Sequence, residues 1–240
     1  MKNKANQSEN YVFKRLRQIA NGSKAKELCE YCGIGLSYTH RHILEIATRK
    51  IICACDACGL LFENAVGGRK LIARDSRSLS DFRITDEQWE TLALPIGLAF
   101  FFGSSTARRI VAMYPSPAGA TESLLPLRSW EKLRTANPIL ATLEPDIEAL
   151  LVNRLGATRE YYIVPIDRCY ELVALIRLHW KGFSGGDRVF EKIQEFFERL
   201  QLGSHARIEQ TSLGNRKSSM RSSNSTGVAE AATLSQPCPS

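Results

Sequence analysis

Cys29-Glu30-Tyr31-Cys32-Gly33 and Cys53-Ala54-Cys55-Asp56-Ala57-Cys58-Gly59 hold five of the chain's seven cysteines, and 22 residues separate Cys32 from Cys55. Thiolates are soft, compact ligands, and two C-x-x-C pairs let two short turns each offer two sulfurs to one tetrahedral ion. The repeated C-x-x-C-G selects Cys29, Cys32, Cys55 and Cys58 as the metal ligands and leaves Cys53 as the spare. Gly33 and Gly59 are both expected at positive φ, where a turn aims backbone N–H groups at the sulfurs. Between the knuckles, Ile43, Leu44, Ile46, Ile51 and Ile52 supply the residues of a small β-hairpin. A hairpin between two knuckles is a zinc ribbon in outline. Zn²⁺ is the favoured ion, with Fe in a rubredoxin-like site as the alternative, because sulfur ligands alone do not separate the two.

His40-Arg41-His42 places two imidazoles on one face of an extended segment. His40, His42 and Cys53 are therefore candidates for additional ligands, either substituting in the first site or building a second centre. Four cysteines already fill a tetrahedral shell, so the preferred reading of the residues makes both histidines polar surface groups of the hairpin. Cys53, two residues from Cys55, is expected on the same side of its strand as Cys55. There it would serve as a further thiolate, a redox partner or a small buried apolar residue.

Working outward, four segments are expected. Residues 1–28 form a flexible basic arm, with Tyr11, Val12, Phe13, Leu16 and Ile19 fit for one short amphipathic helix. Residues 29–66 form the metal-binding ribbon, its apolar side covered by Leu60, Leu61 and Phe62, and Gly67-Gly68 turns the chain out of it. Residues 67–202 form an α+β domain, and residues 203–240, rich in Ser, Thr, Asn and Gly, form a disordered tail. Within the domain, Thr85 and Gln88 fit a capping box. Residues 94–102 read as a strand paired with 109–114 across a Gly103-Ser104-Ser105 turn, and 115–119 reads as a loop. Helices are expected over 128–136 and 145–155, a strand over 161–166, and a helix capped by Asp167 up to Lys181. A last helix over 187–201 turns Val189, Phe190, Ile193, Phe196, Phe197 and Leu200 inward. The fold class is α+β: a small zinc-ribbon or rubredoxin-like module, then a mixed domain with a β-hairpin and C-terminal helices.

Charge narrows the partners. The net charge of +7 comes from the ends, since residues 1–28 carry +5, residues 203–240 carry +2, and residues 29–202 are neutral with 21 charges of each sign. A basic binding face normally belongs to the folded domain, so a nucleic-acid-binding zinc ribbon is only an alternative. No apolar run reaches the length of a membrane span, and the polar start lacks the apolar core of a secretion signal. Together with thiols at metal spacing, this favours the cytoplasm.

No catalytic residue is nominated. Cys169 lies in the first turn of an expected helix, where a dipole can stabilise a thiolate, but no histidine is placed to activate it, and a buried structural cysteine is the better reading. The stretch from Ser116 to Ser123 offers hydroxyls and one carboxylate without matching a P-loop or a nucleophile elbow. The turn from Gly103 to Arg109 can hold an anion through backbone donors and arginine, although a plain hairpin turn is the better reading.

A longer pattern ties these pieces together. C-E-Y-C-G, H-R-H-I-L-E and C-A-C-D-A-C-G-L-L-F are followed by L-P-I-G-L-A-F-F-F, Y-P-S-P-A-G-A-T-E-S-L-L-P-L, L-E-P-D-I-E-A-L-L-V-N-R, Y-Y-I-V-P-I-D-R-C-Y-E-L-V and W-K-G-F-S-G-G. From Cys29 to about Leu200 the chain resembles a bacterial protein family whose genes travel with those of high-affinity, actinobacterial-type NiFe hydrogenases. The resemblance implies a role in hydrogenase biogenesis, or as an electron-transfer accessory, with a hydrogenase subunit or maturation factor as partner. The matching residues include His40, His42 and Cys53 beside the four knuckle cysteines.

Overall fold

Leu98-Ala99-Phe100-Phe101-Phe102 is apolar at every position because its strand lies in a sheet covered on both faces, and all five side chains are buried. In the computed structural model, which describes residues 27–62, 67–181 and 186–221, that strand is β5 (Leu98–Ser104). It belongs to a six-stranded antiparallel sheet with β4 (Arg77–Ser78), β6 (Arg109–Ser116), β7 (Gly119–Ser123), β8 (Glu148–Asn153) and β9 (Glu160–Pro165), in the order β4-β9-β8-β5-β6-β7. Side chains alternate between two cores. Phe100, Phe102, Val111, Met113, Ala149, Leu151, Tyr162 and Val164 face one, and Ala99, Phe101, Ala112, Leu150, Val152 and Tyr161 face the other.

Helices close both faces. The first core is capped by α4 (Ile166–His179), through Cys169, Leu172, Val173 and Ile176, and by α5 (Asp187–Arg221), through Val189, Ile193, Phe196, Phe197 and Leu200. The second core is closed by α2 (Asp86–Glu90), α3 (Leu127–Ala136) and a 3-10 turn over Pro138–Thr142, with Trp130 stacked on Phe101 at 5.4 Å between ring centres. The capping box of α2 forms as expected: Thr85 Oγ1 accepts from the Gln88 N–H, and Gln88 Oε1 accepts from the Thr85 N–H.

A second, three-stranded antiparallel sheet carries the cysteines. Its order is β2-β1-β3, from β1 (Arg41–Glu45), β2 (Lys50–Ala54) and β3 (Arg69–Leu71), with α1 (Asp56–Leu60) following β2. The expected hairpin is thus present, but its sheet takes a third strand from beyond residue 66. Leu44 of β1 and Ile72 share the first core with α4 and α5. The three-stranded sheet thus touches the larger domain's core and also has a small core of its own, in which Cys29, Ile43, Ile52 and Ala54 pack with Leu36, Phe62 and Leu71.

Several local expectations are corrected. Residues 145–155 form no helix. Ala149 to Asn153 are buried in β8, which pairs with β5 on one side and β9 on the other, so tertiary burial overrides the helical preference of Glu-Ala-Leu-Leu. Residues 115–119 are no open loop, because the register Ser116↔Gly119 leaves only Pro117 and Ala118 as a two-residue hairpin turn. Pro115 is tolerated there because β5 pairs no further along β6 than Met113. Phe190 is half exposed, and Leu60 and Leu61 are exposed rather than covering the ribbon, whereas Phe62 packs beside Tyr31. The last helix does not stop near 201 but continues to Arg221, with Ser204 buried and bonded back to the Leu200 carbonyl. The expectations for residues 1–26, 63–66, 182–185 and 222–240 lie outside the described residues.

Candidate metal centre

The two knuckles differ in construction. In the first, the Cys29 N–H donates to Ile34 O (2.8 Å), the Gly33 N–H donates to Cys29 O (2.9 Å), and Gly33 takes φ +73°, which favours glycine. In the second, Cys55 is the N-cap of α1, its sulfur accepting from the Cys58 N–H at 3.4 Å. Gly59 is helical there, contrary to the expected positive φ. Its need is space, since a Cβ would lie 3.0 Å from Arg41 Cγ.

Glu30, inside the first C-x-x-C, locks the knuckles together. Its N–H donates to Cys53 O (2.9 Å), its carboxylate accepts from the Cys53 N–H (2.9 Å), and Lys50 Nζ donates to the same carboxylate (3.0 Å). On the other side, Arg41 Nε donates to Asp56 of α1 at 3.0 Å. Nothing in the spacing of cysteines announces these two carboxylates.

The consequence is convergence. The sulfurs of Cys29, Cys32, Cys55 and Cys58 all lie within 4.8 Å of one another, and the Cys32–Cys55 separation is 3.7 Å. Bonds of about 2.3 Å to a tetrahedral Zn²⁺ place sulfurs about 3.8 Å apart, so the donor set fits such an ion. Electrostatics agree. Burial pushes the Cys29 thiol up, but N–H groups of Cys55, Cys32 and Tyr31 outweigh it and hold this thiol at about 6. The Cys55 side chain, then burial and the other two sulfurs, push Cys58 up to about 12. One thiolate is thus stabilised by the backbone, while Cys58 resists a second negative charge unless a cation joins them.

His40, His42 and Cys53 do not lie scattered on the surface. The β1–β2 register sets His42 directly opposite Cys53, and the ligand atoms of His40, His42 and Cys53 also fall within 4.8 Å of one another. Cys53 therefore joins the histidines rather than the side of Cys55, because β2 ends at Ala54 and Cys55 already turns into α1. Cys53 is 3 % exposed and the His40 side chain 7 %. Asp167, expected to cap α4, instead accepts from His42 Nδ1 at 2.6 Å, and α4 follows Pro165 without a side-chain cap. Burial lowers the His42 pKa, but the hydrogen bonds to Asp167 and Cys53 outweigh it and raise it to about 9. His40 is raised chiefly by Cys53.

The remaining candidates resolve simply. Cys169 is fully buried, and desolvation pushes its thiol far up, as suits a structural residue. In the turn after β5 the Ser105 N–H donates to Asp146 and the Ala107 N–H to Ser104 Oγ, so these donors are already used and a carboxylate occupies the place an anion would take. Ser116 Oγ bonds Thr121 Oγ1 and Gly119 O within its hairpin. Among the described residues, no helix is long and apolar enough to cross a membrane.

No curated protein and no solved structure matches the chain. A protein-family model does match residues 28–204, a span that contains both cysteine knuckles, both histidines and Asp167. The chain accordingly belongs to the family of unknown function DUF5947.

Proposed function

We propose that the protein binds one Zn²⁺ through Cys29, Cys32, Cys55 and Cys58 and acts in the cytoplasm as an accessory of a NiFe hydrogenase, in its biogenesis or function, by protein–protein contact. The observation that carries the metal reading is the convergence of four sulfurs at tetrahedral spacing. The hydrogenase reading rests on the residue runs from Cys29 to about Leu200 and on the neutral charge balance of 29–202. Contact through the ribbon is supported by apolar side chains exposed on or beside the knuckles: Ile34, Tyr38, Leu60 and Leu61.

Deleting the gene in a host that depends on such a hydrogenase is expected to impair hydrogen uptake together with large-subunit processing. Normal uptake and normal processing would refute the reading. A rubredoxin-like Fe(Cys)₄ centre is the second reading, favoured by the exposure of Cys32, which brings one sulfur to solvent where electrons can leave. It predicts red protein, and lost uptake with normal processing.

A further inference from the structure

The Nε2 atoms of two imidazoles meet in this protein. His42 Nδ1 is 2.6 Å from the Asp167 carboxylate, and His40 Nδ1 is 3.0 Å from the Ser37 carbonyl and 3.5 Å from the Glu27 carboxylate. A carbonyl and carboxylates accept and do not donate, so both Nδ1 atoms carry a proton, and in the neutral rings that bind a metal both Nε2 atoms present lone pairs. Those two Nε2 atoms are 3.1 Å apart, with Cys53 Sγ within 4.8 Å of each. Between neutral rings such a contact is repulsive, and either a shared proton or a metal cation relieves it; Cys53 beside both rings supplies the third ligand that a metal needs and a proton does not. Bonds of about 2.0–2.1 Å to a tetrahedral ion hold two nitrogens about 3.3 Å apart, close to the separation seen.

We propose that His40, His42 and Cys53 form a second metal site for a borderline-soft divalent cation such as Zn²⁺, distinct from the four-cysteine centre. Two imidazoles and a thiolate supply three ligands and leave a fourth position for water or an exchangeable ligand, the arrangement of a reactive or labile site rather than of a closed staple. Asp167 is its positioning residue: it fixes the His42 tautomer and ring orientation from α4, 125 residues away in sequence. His42 and Cys53 stand on two paired strands, His40 just before the first of them and Asp167 on a helix. It goes beyond the proposed function and does not depend on it.

The test uses the full-length protein, reduced and stripped with a chelator, then titrated with Co²⁺. Wild type is expected to take up two equivalents, one with an all-thiolate spectrum and one with a mixed imidazole–thiolate spectrum. The His40→Ala/His42→Ala variant should lose the second equivalent and keep the first. Asp167→Asn should weaken the second about 10- to 100-fold with the first unchanged, because an amide can donate to Nδ1 and stabilise the wrong tautomer. If the double variant fails to fold by circular dichroism, the wild-type stoichiometry and Asp167→Asn decide. A single all-thiolate equivalent in wild type would overturn the proposal and leave a shared proton as the bridge between the rings. Two equivalents retained by the folded double variant would also overturn it. A mixed-ligand equivalent without the all-thiolate one would contradict the first centre while supporting the second.

Discussion

Replacing Glu30 with alanine removes the side-chain part of the clamp between the two knuckles and keeps the backbone bond from the Glu30 N–H to Cys53 O. The Cys53 N–H, 2.9 Å from the Glu30 carboxylate, belongs to a residue that is 3 % exposed, so the donor would be left without that acceptor where water is scarce. Loss of a charge-assisted bond of this kind costs about 1–3 kcal/mol. The ion pair with Lys50 adds less than about 1 kcal/mol, because the lysine is substantially exposed. Metal binding requires both knuckles to be docked, so the same deficit should weaken Zn²⁺ about 5- to 150-fold. Urea unfolding of the zinc-loaded protein and competition with a chromophoric chelator read the two effects separately. Glu30→Gln keeps an oxygen acceptor and should retain most of the stability, and Lys50→Ala should cost under about 1 kcal/mol. A Glu30→Ala variant no weaker in either assay than Lys50→Ala would refute the clamp.

Leu150→Ala, in the middle of β8, one of the two central strands, and fully buried, should cost about 2–5 kcal/mol in denaturant unfolding, and a change below about 1 kcal/mol would contradict burial of that face. Gly97→Ala should be strongly destabilising by thermal unfolding, since its Cβ would fall 2.4 Å from the Arg154 carbonyl oxygen, on backbone that cannot swing away. Thr85→Ala should cost about 1 kcal/mol through the lost capping box of α2, with Thr85→Gly milder.

What could be read from the chain was what adjacent residues encode. C-x-x-C spacing, the β1–β2 hairpin, the Thr85–Gln88 box and the pairing of β5 with β6 each depend on a few neighbouring side chains, and each is present. Glu148 to Asn153 misled because Glu, Ala and Leu favour helices locally, and only the helices on both faces of the sheet make a strand buried on both sides the better solution. Gly59 looked like a turn glycine because Gly33 is one, yet its role is a close approach to Arg41, set by how α1 packs on β1. Asp167 could be placed at the start of a helix, but its partner is 125 residues distant, and no local pattern joins them. His40 and His42 were visible as a pair. Their grouping with Cys53 became evident only from the register of the hairpin.

The central claim is that the two knuckles hold one metal ion with four thiolates. X-ray absorption at the zinc edge, on reduced protein loaded with a single equivalent of Zn²⁺, tests it most directly. The account predicts four sulfur neighbours at about 2.3 Å, and the same sample of Cys32→Ser should lose that shell. Nitrogen or oxygen in the first shell of the wild type at this loading, or a four-sulfur shell unchanged in Cys32→Ser, would contradict it.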